Sequence, residues 1–311
     1  MLLVLTRRLA NVIPTLVAVV ALVFLLFSVL PGSFVSAMNE DGRTSIDPAV
    51  MERMRKEMGL DDPLPERFAK YLAHTAVGDL VISFRTREPV TKLIGARVWP
   101  SLKLVFVAMA FAISVGVTLG FFAALRPGNI LDTVSMVFAI SGLSLSQFWF
   151  GLMLMYLFAL QLKWLPSFGY GDGGLTHVIL PAVALGVGPM ALLARTTRAA
   201  VLEILNADFV RTARSKGMSE RRVVEWHVLR NALVLVITIV GLQFGSLMGA
   251  AVVVEKLFAW PGVGSLLVDS VFQRDIPTVQ GCILLIVLFF LFINTLVDLA
   301  YVVIDPRIRH G

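Results

Sequence analysis

Six long apolar runs dominate this sequence, near residues 9–30, 101–125, 133–161, 177–194, 232–254 and 279–303. A hydrocarbon core about 30 Å thick takes roughly 20 apolar residues in helix, close to the length of each run. Backbone polar groups in hydrocarbon must be satisfied within their own segment, so runs of this kind predict membrane-spanning helices. The expected fold class is an all-α integral membrane protein with six transmembrane helices, a helical cytoplasmic loop and a small helical extracytoplasmic cap. Composition agrees: 57% of 311 residues are apolar, 15% are charged and the mean hydropathy is +0.83, outside the range of soluble domains.

The basic residues set the expected sidedness. Arg7 and Arg8 precede the first run, Arg126 follows the second, Arg195 to Arg230 follow the fourth, and Arg307 and Arg309 follow the sixth. The positive-inside rule puts all of these, and both termini, in the cytoplasm. Val35-Ser36-Ala37 loosely fits a signal cleavage site, but the first run exceeds the about 7–15 residues of a signal core and is expected to remain as a span. Residues 31–100 carry ten basic and ten acidic side chains, and long loops cross regardless of charge. Pro48 and Pro63 are placed to start helices there, and Met51, Met54 and Met58 form an apolar stripe, so this region is expected to be the cap. The expected division is residues 1–30, an N-terminal cytoplasmic end and first span; 31–100, the cap; 101–303, a five-span core with a loop at 207–229; and 304–311, a cytoplasmic tail.

A formal charge of +6 and a pI near 9.8 raise the question of nucleic acid. Eight of the 27 Lys and Arg lie between Arg195 and Arg230, between two apolar runs and without a stacking series of aromatics, so nucleic acid is not an expected partner. The lone Cys282 sits in an apolar run, the four histidines lack ligand spacing, and no phosphate-binding GxxxxGK[ST] loop occurs. No bound cofactor or metal, and no ATP site, is expected in this chain.

The loop after the fourth run favours helix up to Lys216. Gly217 supplies the left-handed residue that ends a helix, and Ser219 is placed to cap a second one running to Leu229. Arg211, Arg214, Lys216, Arg221 and Arg222 give this pair a polar surface, while Phe209, Ala213, Val223 and Trp226 offer a face to bury. Physical chemistry alone leaves two roles open, a rigid element that moves with a partner and a basic loop held near anionic lipid.

Polar side chains inside spans are costly, which makes Ser144, Gln147, Gln243, Asn294 and Asp298 candidates for a translocation path; hydrogen bonding between helices is the competing role. Asn294 and Asp298, four apart, share a helical face. After the fifth run, Glu255, Trp260, Pro261 and Gly262 are expected to fold back over the outer mouth as a gate or delivery surface, a geometry allowed only where protein or water covers the backbone.

RTARSKG at Arg211–Gly217, followed by HVLRNAL at His227–Leu233, resembles the coupling loop of binding-protein-dependent ABC importer permeases, in the form of the dipeptide, oligopeptide, glutathione and nickel branch. The general pattern opens Glu-Ala-Ala with Gly six residues after the Glu; here Arg211, Thr212, Ala213 and Gly217 hold those places, which is the form of that branch. GLDDPL at Gly59–Leu64, GDL at Gly78–Leu80, RVWPSLKL at Arg97–Leu104, WLP at Trp164–Pro166, HVILP at His177–Pro181, VVEKLFAWPGVGSLLVDSVFQRDIP at Val253–Pro277 and DPRIR at Asp305–Arg309 extend the resemblance along the chain. Where the branch usually has Gly after GDL, this chain has Val81, which leaves the turn there unsettled.

The resemblance implies a permease subunit that pairs with a second, similar permease, docks Ala207, Asp208, Arg211, Thr212, Ala213, Lys216, Gly217 and Ser219 on one of two cytoplasmic ATPase subunits that use ATP and Mg, and receives cargo from an extracytoplasmic binding protein. The chain itself would catalyse nothing. Short peptides are the expected cargo, with glutathione or a nickel complex as alternatives. Two other classes are weighed. Gly169-Tyr170-Gly171-Asp172 has the form of an intramembrane aspartyl protease signature, but Asp172 lies in a Gly-rich loop far from Asp298. A passive channel would need a filter that is not evident, and would have no use for a coupling loop.

Overall fold

The computed structural model describes residues 2–29 and 62–304, with the side chains of 2–12, 29, Leu131, Phe138, Leu143 and 298–304 outside the description. The Met51–Met58 stripe and the Asp305–Arg309 tail therefore lie outside the described residues. The described elements are helical: α1 (Leu2–Val29), α2 (Leu64–Val77), α3 (Val90–Leu125), α4 (Ile130–Ser144), α5 (Gln147–Gln161), α6 (Leu175–Leu205), α7 (Asp208–Ser215), α8 (Glu220–Leu257), α9 (Val263–Phe272) and α10 (Ile276–Ile304). Each apolar run of the sequence falls in this series. Four helices, α3, α6, α8 and α10, are long and apolar enough to cross a membrane, and α4 with α5 makes a fifth if the pair is one span.

Two features depart from the expectation of simple spans. The run 133–161 is not one rod, because Leu145 and Ser146 adopt extended backbone and α5 leaves α4 at 111°. Ser141, Gly142, Ser144 and Ser146 crowd that point, and Gly/Ser clusters are a recognised cause of sharp helix breaks. The second helix expected from Ser219 to Leu229 is not separate either: after Ser219 the chain winds through a π-helical stretch at Val223–Leu229 directly into the span. Its buried residues continue the apolar pattern of α8, so nothing stops the helix.

The chain divides into two compact units. The first comprises 1–5, 97–265 and 289–311. At its centre is α6, whose most apolar stretch is 72% buried, about twice the share in the other spans. Small residues permit this depth. A Cβ on Gly116 would stand 2.5 Å from the Met190 carbonyl, and one on Gly186 would stand 2.7 Å from that of Ala108, so α3 and α6 meet backbone to backbone. On α4, Gly142 faces Ala191, and Ala139, Ala191 and Ala194 are buried together.

The second unit comprises 6–96 and 266–288. Pro63 starts α2, whose Phe68 and Tyr71 rings lie 5.4 and 5.7 Å from Phe24 of α1. Asp275, just before α10, accepts from Ser83 Oγ at 2.6 Å, from the Phe84 amide at 3.0 Å and from Thr278 Oγ1 at 2.6 Å. Nearby Val81, at the position where the branch usually has glycine, takes the left-handed backbone with φ 63°.

Candidate functional site

Between α6 and α8 the chain turns twice in a few residues. Ala207, in extended backbone, starts α7, with the Val210 amide donating to its carbonyl at 3.0 Å. The helix ends in a Schellman motif: Gly217 at φ 77° donates to the Arg214 carbonyl at 2.9 Å and Met218 to that of Ala213 at 3.3 Å. Ser219, again extended, opens α8.

Beneath α7, Val210 and Ala213 pack with Val223, Val228 and Ala232 of α8, Ala200 and Val201 of α6, and Ala124 of α3. Arg214 clips the beginning of α8 by a two-pronged bond to Glu220 at 2.7 and 3.0 Å. That pairing raises the affinity of the guanidinium for its proton. The outer face of α7 carries Asp208, Arg211, Thr212 and Lys216, all exposed. Ala213 and Val223 are buried as expected, but Phe209 and Trp226 are exposed, 46% and 66%, because the seat is filled by residues of smaller volume. The result is a short helix seated on apolar contacts that displays charge and Phe209, with Trp226 exposed nearby on the first turns of α8.

At the other end of α8 the chemistry reverses. Glu255 is 1% exposed. Its carboxylate accepts from Ser101 Oγ of α3 at 2.5 Å and from the Ser265 amide in the first turn of α9 at 3.0 Å, while the Val263 amide donates to Ser101 Oγ at 2.8 Å. A carboxylate at a helix N-terminus is favoured by both unpaired amides and the helix dipole. Gly262 and Gly264 are required here, since a Cβ on either would run into the Glu255 carboxylate. Trp260 is fully buried; its amide donates to the Glu255 carbonyl at 2.8 Å and its indole Nε1 to the Pro100 carbonyl at 2.9 Å. Tyr170 packs edge-on against it at 4.8 Å, and the Gly169 amide donates to the Phe258 carbonyl at 2.9 Å. Glu255, Trp260 and Gly262 are thus inside the turn, and Pro261 is half-buried.

The candidate path residues form no single cluster. Ser144 and Gln147 flank the α4–α5 break, the first exposed and bonded to the Ile140 carbonyl, the second half-buried beside Gly188. Asn294 lies against Gly245 of α8, and Gln243, two residues before that glycine, is half-buried, its carbonyl accepting from Ser246. The side chain of Asp298 is outside the described residues. Asp172 is exposed in the α5–α6 loop.

Sequence reasoning missed an ion pair between Asp132 of α4 and Arg198 of α6. Arg198 Nη2 donates to Asp132 Oδ2 at 2.8 Å and its Nε to Oδ1. In the sequence Arg198 is one of the eight basic residues of the Arg195–Arg230 stretch, with nothing local to single it out. Its signal was a carboxylate in the first turn after Asn129, at the matching end of a neighbouring span.

Residues 116–310 match the family described as "Binding-protein-dependent transport system inner membrane component", and residues 1–104 match "Binding-prot-dependent transport system membrane comp, N-term". The glutathione transport system permease protein GsiC of Pectobacterium atrosepticum is 45% identical over 304 residues, and that of Escherichia coli O6:H1 is 43% identical, each match covering 98% of both chains. An inward-facing structure of the MetNI methionine ABC transporter superposes with a TM-score of 0.59 at 20% identity, covering 70% of this chain and 99% of that one; a structure of an amino acid ABC transporter with histidines gives 0.53 at 19%, covering 68% and 94%.

This chain belongs to the binding-protein-dependent transport system inner membrane component family. It is a membrane-spanning permease subunit of an ABC importer, in the dipeptide, oligopeptide, glutathione and nickel branch. Its part is transport; ATP hydrolysis is performed by partner ATPase subunits, and a binding protein is a further partner of the family. This displaces the protease and channel readings.

Proposed function

We propose that the cargo is a short peptide and that glutathione, itself a tripeptide, is the first candidate. The observation that carries this is identity of 45% along 98% of both chains with a permease named for glutathione transport. In this reading the chain makes six spans of the bacterial inner membrane, counting α1 and the bent α4–α5 pair, with both termini in the cytoplasm. Residues 31–100 then contribute an extracytoplasmic cap, 101–303 the five-span core and 304–311 a tail. A second permease completes the path, two ATPase subunits use ATP and Mg, and the extracytoplasmic binding protein selects the cargo. The chain holds no cofactor or metal and meets no nucleic acid.

Within that assembly α7 is the coupling helix. Ala207, Asp208, Arg211, Thr212, Ala213, Lys216, Gly217 and Ser219 build or present it, and the exposed Phe209 and Trp226 enlarge its docking face. Aromatics beside charge on a rigid helix suit a groove in a partner protein better than a solvated loop, where burying the rings would have cost nothing. Glu255, Trp260, Pro261 and Gly262 form the outer gate, with Glu255 holding its shape from within. Ser144 and Gln147 at the span break, with Gln243, Asn294 and Asp298, are assigned to the path or its immediate support.

Calorimetry of the cognate binding protein against glutathione, an unmodified dipeptide and a nickel–histidine complex tests the cargo. Glutathione or the dipeptide should bind, and selective binding of the nickel complex would overturn the peptide assignment. Crosslinking from Lys216→Cys tests the coupling assignment, which is lost if no ATPase subunit is captured.

A further inference from the structure

Arg198 sits on α6 two helical turns before its end at Leu205, and α7 begins at Asp208. A long cationic side chain so near a helix end ordinarily extends its charge toward water. Arg198 instead turns into the protein, only 27% exposed, and places its planar fork on an Asp132 carboxylate that is 6% exposed. That carboxylate is fixed in turn: Oδ2 also accepts the Gly128 amide at 3.0 Å, and the neighbouring Asn129 caps α4 through the Ile130 amide at 2.7 Å.

Such a pair is weak evidence for stability, because desolvation offsets most of the Coulomb attraction; its best-attested use is to fix register between elements. The rest of the α4–α6 contact would not do so. Gly142, Ala139, Ala191 and Ala194, with the unbranched Met136 beside them, make a mostly small-residue interface of the kind over which packed helices shear by an ångström or two. A two-pronged Arg–carboxylate bond cannot slide without losing a prong. It therefore locks the start of α4 to the stretch of α6 that leads into α7, while the far end of α4 is the break at Leu145–Ser146, flanked by Ser144 and Gln147.

We propose that the Asp132–Arg198 pair is the strut that makes α4 follow α6 through the nucleotide cycle, carrying displacement of the coupling helix to the broken span. Both are positioning residues. The proposal rests on α7 being the coupling helix and goes beyond it by naming the route that motion takes next.

The test uses the complete importer, with its partner permease, ATPases and binding protein, in nanodiscs. Spin labels on Val134→Cys of α4 and Glu203→Cys of α6, both exposed positions, report the distance across the strut; the native Cys282 is buried. With the strut intact, that distance should change by less than about 2 Å between the nucleotide-free and ATP–vanadate-trapped states. A larger change overturns the proposal without any mutation of the pair. Asp132→Asn should let the distance become state-dependent and lower glutathione taken up per ATP hydrolysed by about tenfold, within the usual span of coupling effects. Asp132→Glu should restore at least part of both. State-independent distances in Asp132→Asn identical to those with the strut intact would show that the pair is only structural. If Lys216→Cys fails to crosslink to an ATPase while the strut distances behave as expected, it is the coupling assignment that falls; if the crosslink forms and the distances do not, it is the strut.

Discussion

At one end of α8 a helix is seated on valines and alanines and turns its charges and Phe209 outward, beside the exposed Trp226 of α8; at the other, a turn closes over a carboxylate and a tryptophan, with the polar groups facing in. The first arrangement holds a surface still, as the proposed coupling role requires. The second holds a turn in one shape by directed bonds, so its geometry depends on every donor having its acceptor. Coupling and gating assigned to these two places would thus fail differently, the first through backbone geometry and the second through unsatisfied polar groups.

Gly217→Pro should have the largest effect. Proline fixes φ near −65° where the chain needs 77°, and it removes the amide that bonds Arg214. The Schellman motif cannot form, at a local cost of about 3 kcal/mol or more. The subunit should still insert, since the spans are untouched, but binding-protein-stimulated ATP hydrolysis should be lost. Normal hydrolysis in an assembled Gly217→Pro complex would break the comparison at its first term.

Glu255→Ala should come next, with a different signature. Ser101 Oγ and the Ser265 amide lose a buried acceptor, and each orphaned group costs about 1–3 kcal/mol. The unfolding midpoint of the solubilised subunit should fall by roughly 10 °C. Glu255→Gln, which keeps one carbonyl acceptor, should fall by less. If alanine and glutamine behave alike, the carboxylate is not what holds the turn.

These two sites also differ in how far they could be read from sequence. The end of α7 was legible because Gly217 is a local signal acting over a few residues, whereas Ser219 stands at the start of α8 without a side-chain cap bond. The burial of Glu255 was not, since it depends on Ser101, 154 residues away, and on two glycines whose value appears only once the carboxylate lies against them. The same holds for Asp132 and Arg198, each ordinary in its own segment. Apolar run length located the helices, four of which are long and apolar enough to cross a membrane, whereas the α4–α5 break hid in a run whose hydropathy never falters. Phe209 and Trp226 stay outside because alanine and valine already fill the small core beneath α7, which the apolar character of the rings does not reveal.

A third backbone site sharpens the point about local signals. Val81 is β-branched in a left-handed conformation that disfavours it, beside the Ser83–Asp275 bonds of its own unit. Val81→Gly should relieve strain worth about 1 kcal/mol net of the entropy glycine brings, raising the midpoint by a few degrees. A lower midpoint would mean that the valine side chain contributes more than its backbone costs.

Arg214→Ala should have the smallest effect, although its bond to Glu220 is the most regular ion pair on the α7 loop. Both partners are more than a third exposed, so water and salt screen the attraction, and such pairs contribute about 0.2–1 kcal/mol. Stimulated ATP hydrolysis should drop less than about twofold at 0.15 M salt, with the difference fading at 1 M, where the screening length is about 3 Å. A loss as deep as that of Gly217→Pro would mean the clip, and not the apolar seat of Val210 and Ala213, is what keeps α7 rigid, and the contrast between the two ends of α8 would then rest on polar bonds at both.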